Sequence, residues 1–539
     1  MVKNNGTSNS IGNQENIGEV IKASVSEEIL IKMRNISETL RIGYPVVTEG
    51  RTFDFFSIIS DIETPLDNTA LMFANADEYR NASPLSMLRD RETLSRGRKF
   101  YSIAKLNCVK MVNKFTQEIS EYETVPEHFA PSRMATLEDI QLVYKESQNS
   151  QSIGTLRGLS EFSIPIDIEK LTSVPFGIFG RTNSGKTFLN KILMGNILNT
   201  NVAQVIIFDT QSEYGWRSRS DQSPGLKAFF DSRVKLFALD PQQCPQADEE
   251  LIIDPNFITP DDLIIAFQDL TSFMIDAVYS INRHRTNLSL IQAIFETTED
   301  HYPDGDEHKI HSSTLEGLQR RIDRLNRFSF IREANGKGLL NRLDNLIKDN
   351  YSIIIDFGRF GTDLSSYLMV ANLVIRRLYD SYSSAISPNE YPRLVVLLEE
   401  AHKFLEPSIS RFTIFGKLAR EMRKFGLVLA MVDQRPSSID DEILSQLANR
   451  FILSLSDPKD ITAALTGPVD PSKWKSIVAA MPLRHTLMFG DAISVPTTIE
   501  VEHYSSENMK KKWNISVTLD DFKEKLQNIS ADKMKNLFE

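Results

Sequence analysis

Gly180-Arg181-Thr182-Asn183-Ser184-Gly185-Lys186-Thr187 is the stretch that decides the fold. It stands between an apolar run, Pro175–Phe179, and a helix-forming run, Phe188–Ile197. The spacing Gly-x-x-x-x-Gly-Lys-Thr predicts a cradle for a polyphosphate. Gly180 and Gly185 permit a tight turn whose backbone N–H groups converge on anionic oxygens. Lys186 brings charge to the β and γ phosphates, and the Thr187 hydroxyl suits Mg²⁺. Asn183, Ser184 and Phe188 complete the loop and the first turn of the helix, whose N-terminus faces the same anion. The bare pattern arises by chance in only about 2% of chains this long. Its flanking strand and helix make chance rarer still, so ATP or GTP binding is expected.

Outward from the loop, apolar runs alternate with helical patterns, as in an α/β sheet. Expected strands are Pro175–Phe179, Ala203–Phe208, Val234–Ala238, Ser352–Asp356, Leu394–Leu398, Leu427–Val432, Arg450–Leu455 and Thr486–Phe489. Most are unbroken apolar runs, the pattern of strands buried on both faces. The strand Leu394–Leu398 ends in Glu399-Glu400-Ala401-His402. A phosphate loop needs a strand-end acid to hold Mg²⁺ through water and a second group to orient the attacking water. Glu399 fits the first role and Glu400 the second, while His402 is read as a packing or hydrogen-bonding group. Asp209 and Glu213 follow the second strand, where they could assist Mg²⁺ or merely cap a turn. Gln434 follows Leu427–Val432 and could sense a γ-phosphate. Arg420 and Arg423 precede that strand, where a cation could serve a neighbouring subunit's site.

Glu400 follows Lys186 by 214 positions, long for a minimal nucleotide-binding core. A helical insertion at about 243–345 accounts for the excess. Thr259-Pro260-Asp261-Asp262 opens a helix there with a capping hydroxyl, a proline and two acids. Leu288–Glu296 and Thr314–Phe328 continue it, with Arg320, Arg324 and Arg327 along one face. Toward the N-terminus, Ile17–Ile21, Ile29–Ile31, Ile42-Gly43, Val46-Val47, Phe53–Ile59 and Tyr101–Val112 read as short strands of a small barrel or sandwich. A polar stretch at 76–98 interrupts them. The expected division is a disordered tail over 1–16, a barrel-like domain over 17–150, the ATPase domain over 151–504 and a helical tail over 505–539.

The chain has 539 residues, two cysteines (Cys108 and Cys244) and a net charge of −11. No run approaches the ~20 apolar residues of a membrane span, and no signal peptide is evident. A reduced, cytoplasmic protein is the expectation. The acidic charge argues against a uniformly basic nucleic-acid coat but leaves room for a small basic surface. Arg217 and Arg219, in the loop after Asp209, are the candidate cations for one.

Taken together, Gly180–Thr187, Asp209–Gly215, Leu397–His402, Arg423–Gly426, Gln434–Pro436, Ile443–Gln446 with Asn449, and Phe489–Ala492 resemble the HerA-type ATPases of the HerA/FtsK P-loop motors. The resemblance runs from Ile17-Gly18-Glu19-Val20 to Gly490-Asp491-Ala492. It implies a RecA-like P-loop core behind a small β-barrel, working as a homohexamer with ATP and Mg²⁺ between subunits. It also implies double-stranded DNA in a central pore and a partner nuclease or other defence effector. Lys186 and Thr187 then bind phosphate and Mg²⁺, Glu400 is the catalytic acid and Gln434 the sensor. Arg423, with Arg420 second, is donated across the interface. Two departures stand out: Asn183 where the family usually has Gly, and Glu399 where P-loop enzymes at large carry Asp. Three functions compete: a DNA-translocating motor, an ATP-dependent scaffold that assembles and gates an effector, and a machine acting on protein.

Overall fold

The computed structural model describes residues 16–34, 40–64, 102–302, 309–334, 336, 338–387, 390–410, 413–467 and 471–515. The expected N-terminal tail up to residue 15, the polar stretch at 76–98 and the expected C-terminal tail beyond residue 515 lie outside them, whereas Asn16 begins a strand and Ser506–Lys512 forms a helix.

The first layer is an antiparallel barrel. Its strands are β1 (Asn16–Lys22), β2 (Ile29–Met33), β3 (Pro45–Glu49), β4 (Phe53–Glu63), β5 (Ile103–Asn113), β6 (Ile119–Ser120) and β7 (Pro131–Met134). Their order is β2-β1-β7-β3-β4-β5, and β2 pairs β5 to close the ring, with β6 appended to β5. Closure removes the free edges that would otherwise invite pairing with other chains. Register shifts at Phe56/Ser57 and Ile59/Asp61 bend β4 around the barrel. Ile17, Val20, Ile31, Val46, Phe55, Ile59 and Leu106 fill the interior. Ile42-Gly43, expected as strand, forms a turn in which Gly43 takes φ +90°.

The second sheet has twelve strands. They are β8 (Ser150–Leu156), β9 (Leu159–Asp167), β10 (Phe176–Phe179), β11 (Gln204–Asp209), β12 (Val234–Ala238), β13 (Glu249–Glu250), β14 (Ser352–Asp356), β15 (Leu394–Glu399), β16 (Leu427–Asp433), β17 (Asn449–Ile452), β18 (His485–Phe489) and β19 (Thr497–Val501). The order is β13-β12-β14-β11-β15-β16-β10-β17-β18-β19-β8-β9. From β13 to β17 the pairing is parallel, and beyond β17 it turns antiparallel. In β11, β14, β16 and β17 every residue is buried, because helices cover both faces.

Helices Pro260–Ala266, Ser272–His284, Leu290–Glu296, Ser312–Ile322 and Leu339–Lys348 fill the interval between β13 and β14. The first starts as its sequence predicts: Thr259 and Asp262 form a capping box with proline at the first turn. Asp262 is fully buried and also binds Arg376 at 2.6 Å and Asn372 at 2.9 Å, tying the insertion to the long helix Leu364–Ser383. The run expected as one helix over Thr314–Phe328 is an α-helix to Ile322 followed by a 3₁₀ turn, Asp323–Arg327. Arg320, Arg324 and Arg327 therefore do not share one α-helical face. Arg324 binds Asp269 at 2.8 Å, and Arg327 binds Asp363 at 2.7 Å.

Candidate active site at the strand ends

Parallel strands in one sheet present all their C-terminal ends at one edge, where open α/β folds bind ligands. The loop Gly180–Thr187 leaves β10 at that edge and enters the helix Lys186–Thr200. Gly185 takes φ +105° and Asn183 φ +61°. Both values lie in the left-handed region, which explains why glycine suits these positions and why asparagine, tolerant of that region, can stand in. A Cβ at Gly180 would lie 2.7 Å from Ser184 Oγ and 2.9 Å from Leu453 Cβ, so the turn admits no side chain there. Arg181 N donates to Ser454 O, and Arg484 N to Ser184 O, so the segments after β17 and before β18 brace the loop from outside.

Lys186 Nζ folds back onto its own loop, donating to Gly180 O at 2.5 Å and Arg181 O at 2.9 Å. Burial pushes its ammonium down to about 8, against the pull of Asp433, Glu399 and Glu400. Ser184 Oγ is buried without a partner. A half-sheltered ammonium, an orphaned hydroxyl and a side-chain-free turn fit the polyphosphate chain of ATP. Thr187 follows in the first turn of the helix. The ring of Phe188 stacks on Tyr504 with centroids 5.9 Å apart, which leaves its backbone N–H as the group it can offer.

The acid strand is not the immediate neighbour of β10. β16 stands between β10 and β15, pairing Phe179 with Asp433 on one side and Val432 with Glu399 on the other. The end of β16 thus lies between the loop and the acids. Glu399 accepts a hydrogen bond from the buried Tyr214 hydroxyl at 2.6 Å. Burial raises its carboxyl to about 7, with Tyr214 opposing and Glu213 and Glu400 adding to the rise. Glu400 takes φ +50° and pairs with Lys403 one turn on. A left-handed glutamate is strained, and such strain concentrates at functional sites. Gln434 Oε1 accepts from the Thr182 hydroxyl at 2.6 Å, placing this amide against the phosphate loop.

Asp209 is fully buried, and its two oxygens accept from Glu213 N at 2.9 Å and Tyr214 N at 2.7 Å. Its carboxylate caps the turn, the plainer of the two sequence readings. Burial, and then Asp356 beside it, raise its carboxyl well above the ordinary range. Glu213 accepts from Ser220 Oγ at 3.2 Å. Arg219 donates to Gln243 at 2.9 Å, and both Arg217 and Arg219 line a polar cleft of about 360 Å³ over the ends of β11, β12 and β14.

The two remaining arginines lie elsewhere. Arg420 binds Glu442 at 3.3 Å, and Arg423 is exposed. Both precede β16, whose seven residues rise ~3.3 Å each, so roughly 20 Å separates Arg423 from this chain's own Gln434. Sequence reasoning left unassigned two residues of this edge, Tyr214 and His402. His402 Nδ1 binds Asp433, 31 positions away, at 2.9 Å. Nothing in the local pattern around either residue signals such a partner.

Sheet order, phosphate loop and strand-end acids define a RecA-like P-loop ATPase. Residues 151–378 match the family model described as "Helicase HerA, central domain". The "DNA double-strand break repair helicase HerA" of Sulfurisphaera tokodaii is 23% identical, over 92% of this chain and 96% of its own. That of Pyrococcus furiosus is 23% identical over 68% and 71% respectively. Among solved structures, the plasmid coupling protein TrwB with a non-hydrolysable ATP analogue is 13% identical, covering 69% of this chain and 94% of its own, with a TM-score of 0.47. The chain is an ATP hydrolase, similar to the HerA helicases over most of its length.

Proposed function

We propose that this ATPase couples hydrolysis to translocation on double-stranded DNA. It works as a homohexamer beside a partner nuclease or other effector, in DNA processing or anti-phage defence. Lys186 holds the β and γ phosphates. Thr187, and Glu399 through water, hold Mg²⁺, which when bound supplies charge neutralisation across the phosphates. Glu400 orients the attacking water, and Gln434 senses the γ-phosphate. Arg423, with Arg420 second, acts on the site of the adjacent subunit, in keeping with its place roughly 20 Å from its own.

One observation carries the reading toward DNA. Tyr214, on the loop that continues into Arg217 and Arg219, donates its hydroxyl to Glu399. A phosphodiester engaged by that loop would bear on the segment whose Tyr214 is hydrogen-bonded to the proposed Mg²⁺-side acid. The test is ATP turnover with and without duplex DNA across a salt series. Stimulation that weakens steeply as salt rises is expected, since phosphate contacts release counterions. Absence of both stimulation and salt-dependent binding would end the motor reading.

A second reading, an ATP-dependent scaffold that assembles and gates an effector, draws on charge. The chain is acidic, and Arg219, Arg324 and Arg327 all have partners within it. A stable complex with a nuclease that forms without DNA would favour it, and co-purification from the native host would identify the partner. Among the described residues no helix is long and apolar enough to cross a membrane.

A further inference from the structure

The end of β16 holds a buried carboxylate that the scheme above does not use. Asp433 is 1% exposed and lies between the turn carrying Glu400 and the turn carrying Gln434. Its Oδ2 accepts from the His402 backbone N–H at 2.7 Å and from His402 Nδ1 at 2.9 Å. Its Oδ1 accepts from Arg435 N at 2.7 Å and lies 3.1 Å from His402 Nδ1. Its own carbonyl accepts from Gly180 N at 3.2 Å. One residue thus ties the phosphate loop, the Glu400 turn and the Gln434 turn together.

Burying a carboxylate is costly unless its donors offset the lost hydration. Here three N–H groups converge on two oxygens. An amide could not take its place, because asparagine offers a single acceptor atom and its NH₂ would face an N–H donor whichever way it turned. A hydroxyl would reach only one of the two turns. The arrangement therefore requires two acceptor atoms on one rigid group, one for each turn. Glu400, moreover, holds φ +50°, a conformation that its surroundings must impose. Its own contacts are local, the Lys403 N–H on Glu400 O at 2.9 Å and the ion pair with Lys403; what ties this turn to the neighbouring strand is the Ala401 N–H on Val432 O at 3.2 Å and the grip on His402, two residues beyond.

We propose that Asp433, acting through His402 and Arg435, is a positioning residue that sets Glu400 and Gln434 on the γ-phosphate; this rests on the assignment of those two residues to the hydrolytic step. Asp433 itself moves no proton and touches no nucleotide. It fixes the distance between two groups that must meet the same phosphate from neighbouring strands.

The test uses the full chain in four variants: Asp433→Asn, His402→Leu, His402→Asn and Glu400→Gln. ATP hydrolysis is measured beside the affinity for a non-hydrolysable ATP analogue. Misplacement of catalytic groups predicts a kcat about 100-fold lower in Asp433→Asn and His402→Leu. Analogue affinity stays within about threefold, since ground-state binding does not depend on the clamp. His402→Asn, whose amide nitrogen can occupy the place of Nδ1, recovers most of the rate. Equal losses of rate, affinity and thermal stability in all the clamp variants, His402→Asn included, mark a merely structural contact and overturn the proposal. Wild-type kcat in Asp433→Asn overturns it as well, and if that variant fails to fold, the contrast between the two His402 variants decides. An inert Glu400→Gln beside a fully active Asp433→Asn rejects the positioning role alone. An active Glu400→Gln rejects the site assignment and the proposal with it.

Discussion

Lys186 and Asn183 show how much of the phosphate loop rests on single conformations and charges. Burial leaves Lys186 with a value of about 8, below that of a free lysine. The sign follows directly: the ammonium is charged below about 8 and neutral above it. Nucleotide bound to the protonated form should therefore weaken as pH rises, by about tenfold between about pH 7 and about pH 9. Titration of a fluorescent ATP analogue at several pH values checks this, and a flat profile would contradict it. Asn183, at φ +61°, should tolerate glycine without loss. Asn183→Val forces a β-branched residue into the left-handed region and should cost about 1–2 kcal/mol of loop stability, read as weaker analogue binding. The placing of Lys186, Glu400 and Gln434 just beyond strand ends was legible in sequence, because each follows an apolar run that the sheet buries. The clamp of Asp433 on His402 was not, because it joins two strand ends that come together only when the sheet forms. His402 was expected to pack or hydrogen-bond, and it does so to a carboxylate beside the site.

At the scale of elements, the parallel strands announce themselves as unbroken apolar runs because both faces are buried. β8, β9 and β19 escaped notice for the converse reason. β8 and β9 are partly exposed at the sheet margin and rich in Ser, Gln and Glu, and β19 buries threonines rather than aliphatic side chains. The insertion was recognisable from its first cap, whereas the break at Ile322 depends on packing that sequence periodicity does not report. β17 carries the clearest test of element docking. Arg450, on this strand, is fully buried, and burial pushes its guanidinium down to about 10. It donates to the carbonyls of Leu444 at 2.6 Å, Ala464 at 2.7 Å and Ala463 at 3.1 Å, joining the ends of helices Asp441–Ser445 and Pro458–Leu465 to the strand. Arg450→Met keeps the bulk but removes the donor to Ala464 O and the second donor to Leu444 O and Ala463 O, and should destabilise the sheet by about 3 kcal/mol. Denaturant unfolding followed by circular dichroism measures it. An unchanged midpoint would mean that water replaces the guanidinium at no cost.

For the whole molecule, the decisive fact is where the arginines are. Lys186, Glu399, Glu400 and Gln434 gather at one edge of the sheet, whereas Arg423 stands at the other, roughly 20 Å away along β16. One chain cannot bring its Arg423 to its own phosphate without unravelling that strand, so the role proposed for Arg423 requires a neighbouring subunit. Turnover per chain should then rise steeply with protein concentration until the assembly is saturated. The most direct test measures ATP hydrolysis in Arg423→Ala, in Glu400→Gln and in an equal mixture of the two. Each variant alone should be close to inactive. In the mixture, Arg423→Ala chains retain an intact phosphate loop and Glu400, and Glu400→Gln chains supply the missing arginine, so activity should return at a substantial fraction of wild type. A mixture no more active than its components, or an Arg423→Ala protein that turns over normally, would contradict a site shared between subunits.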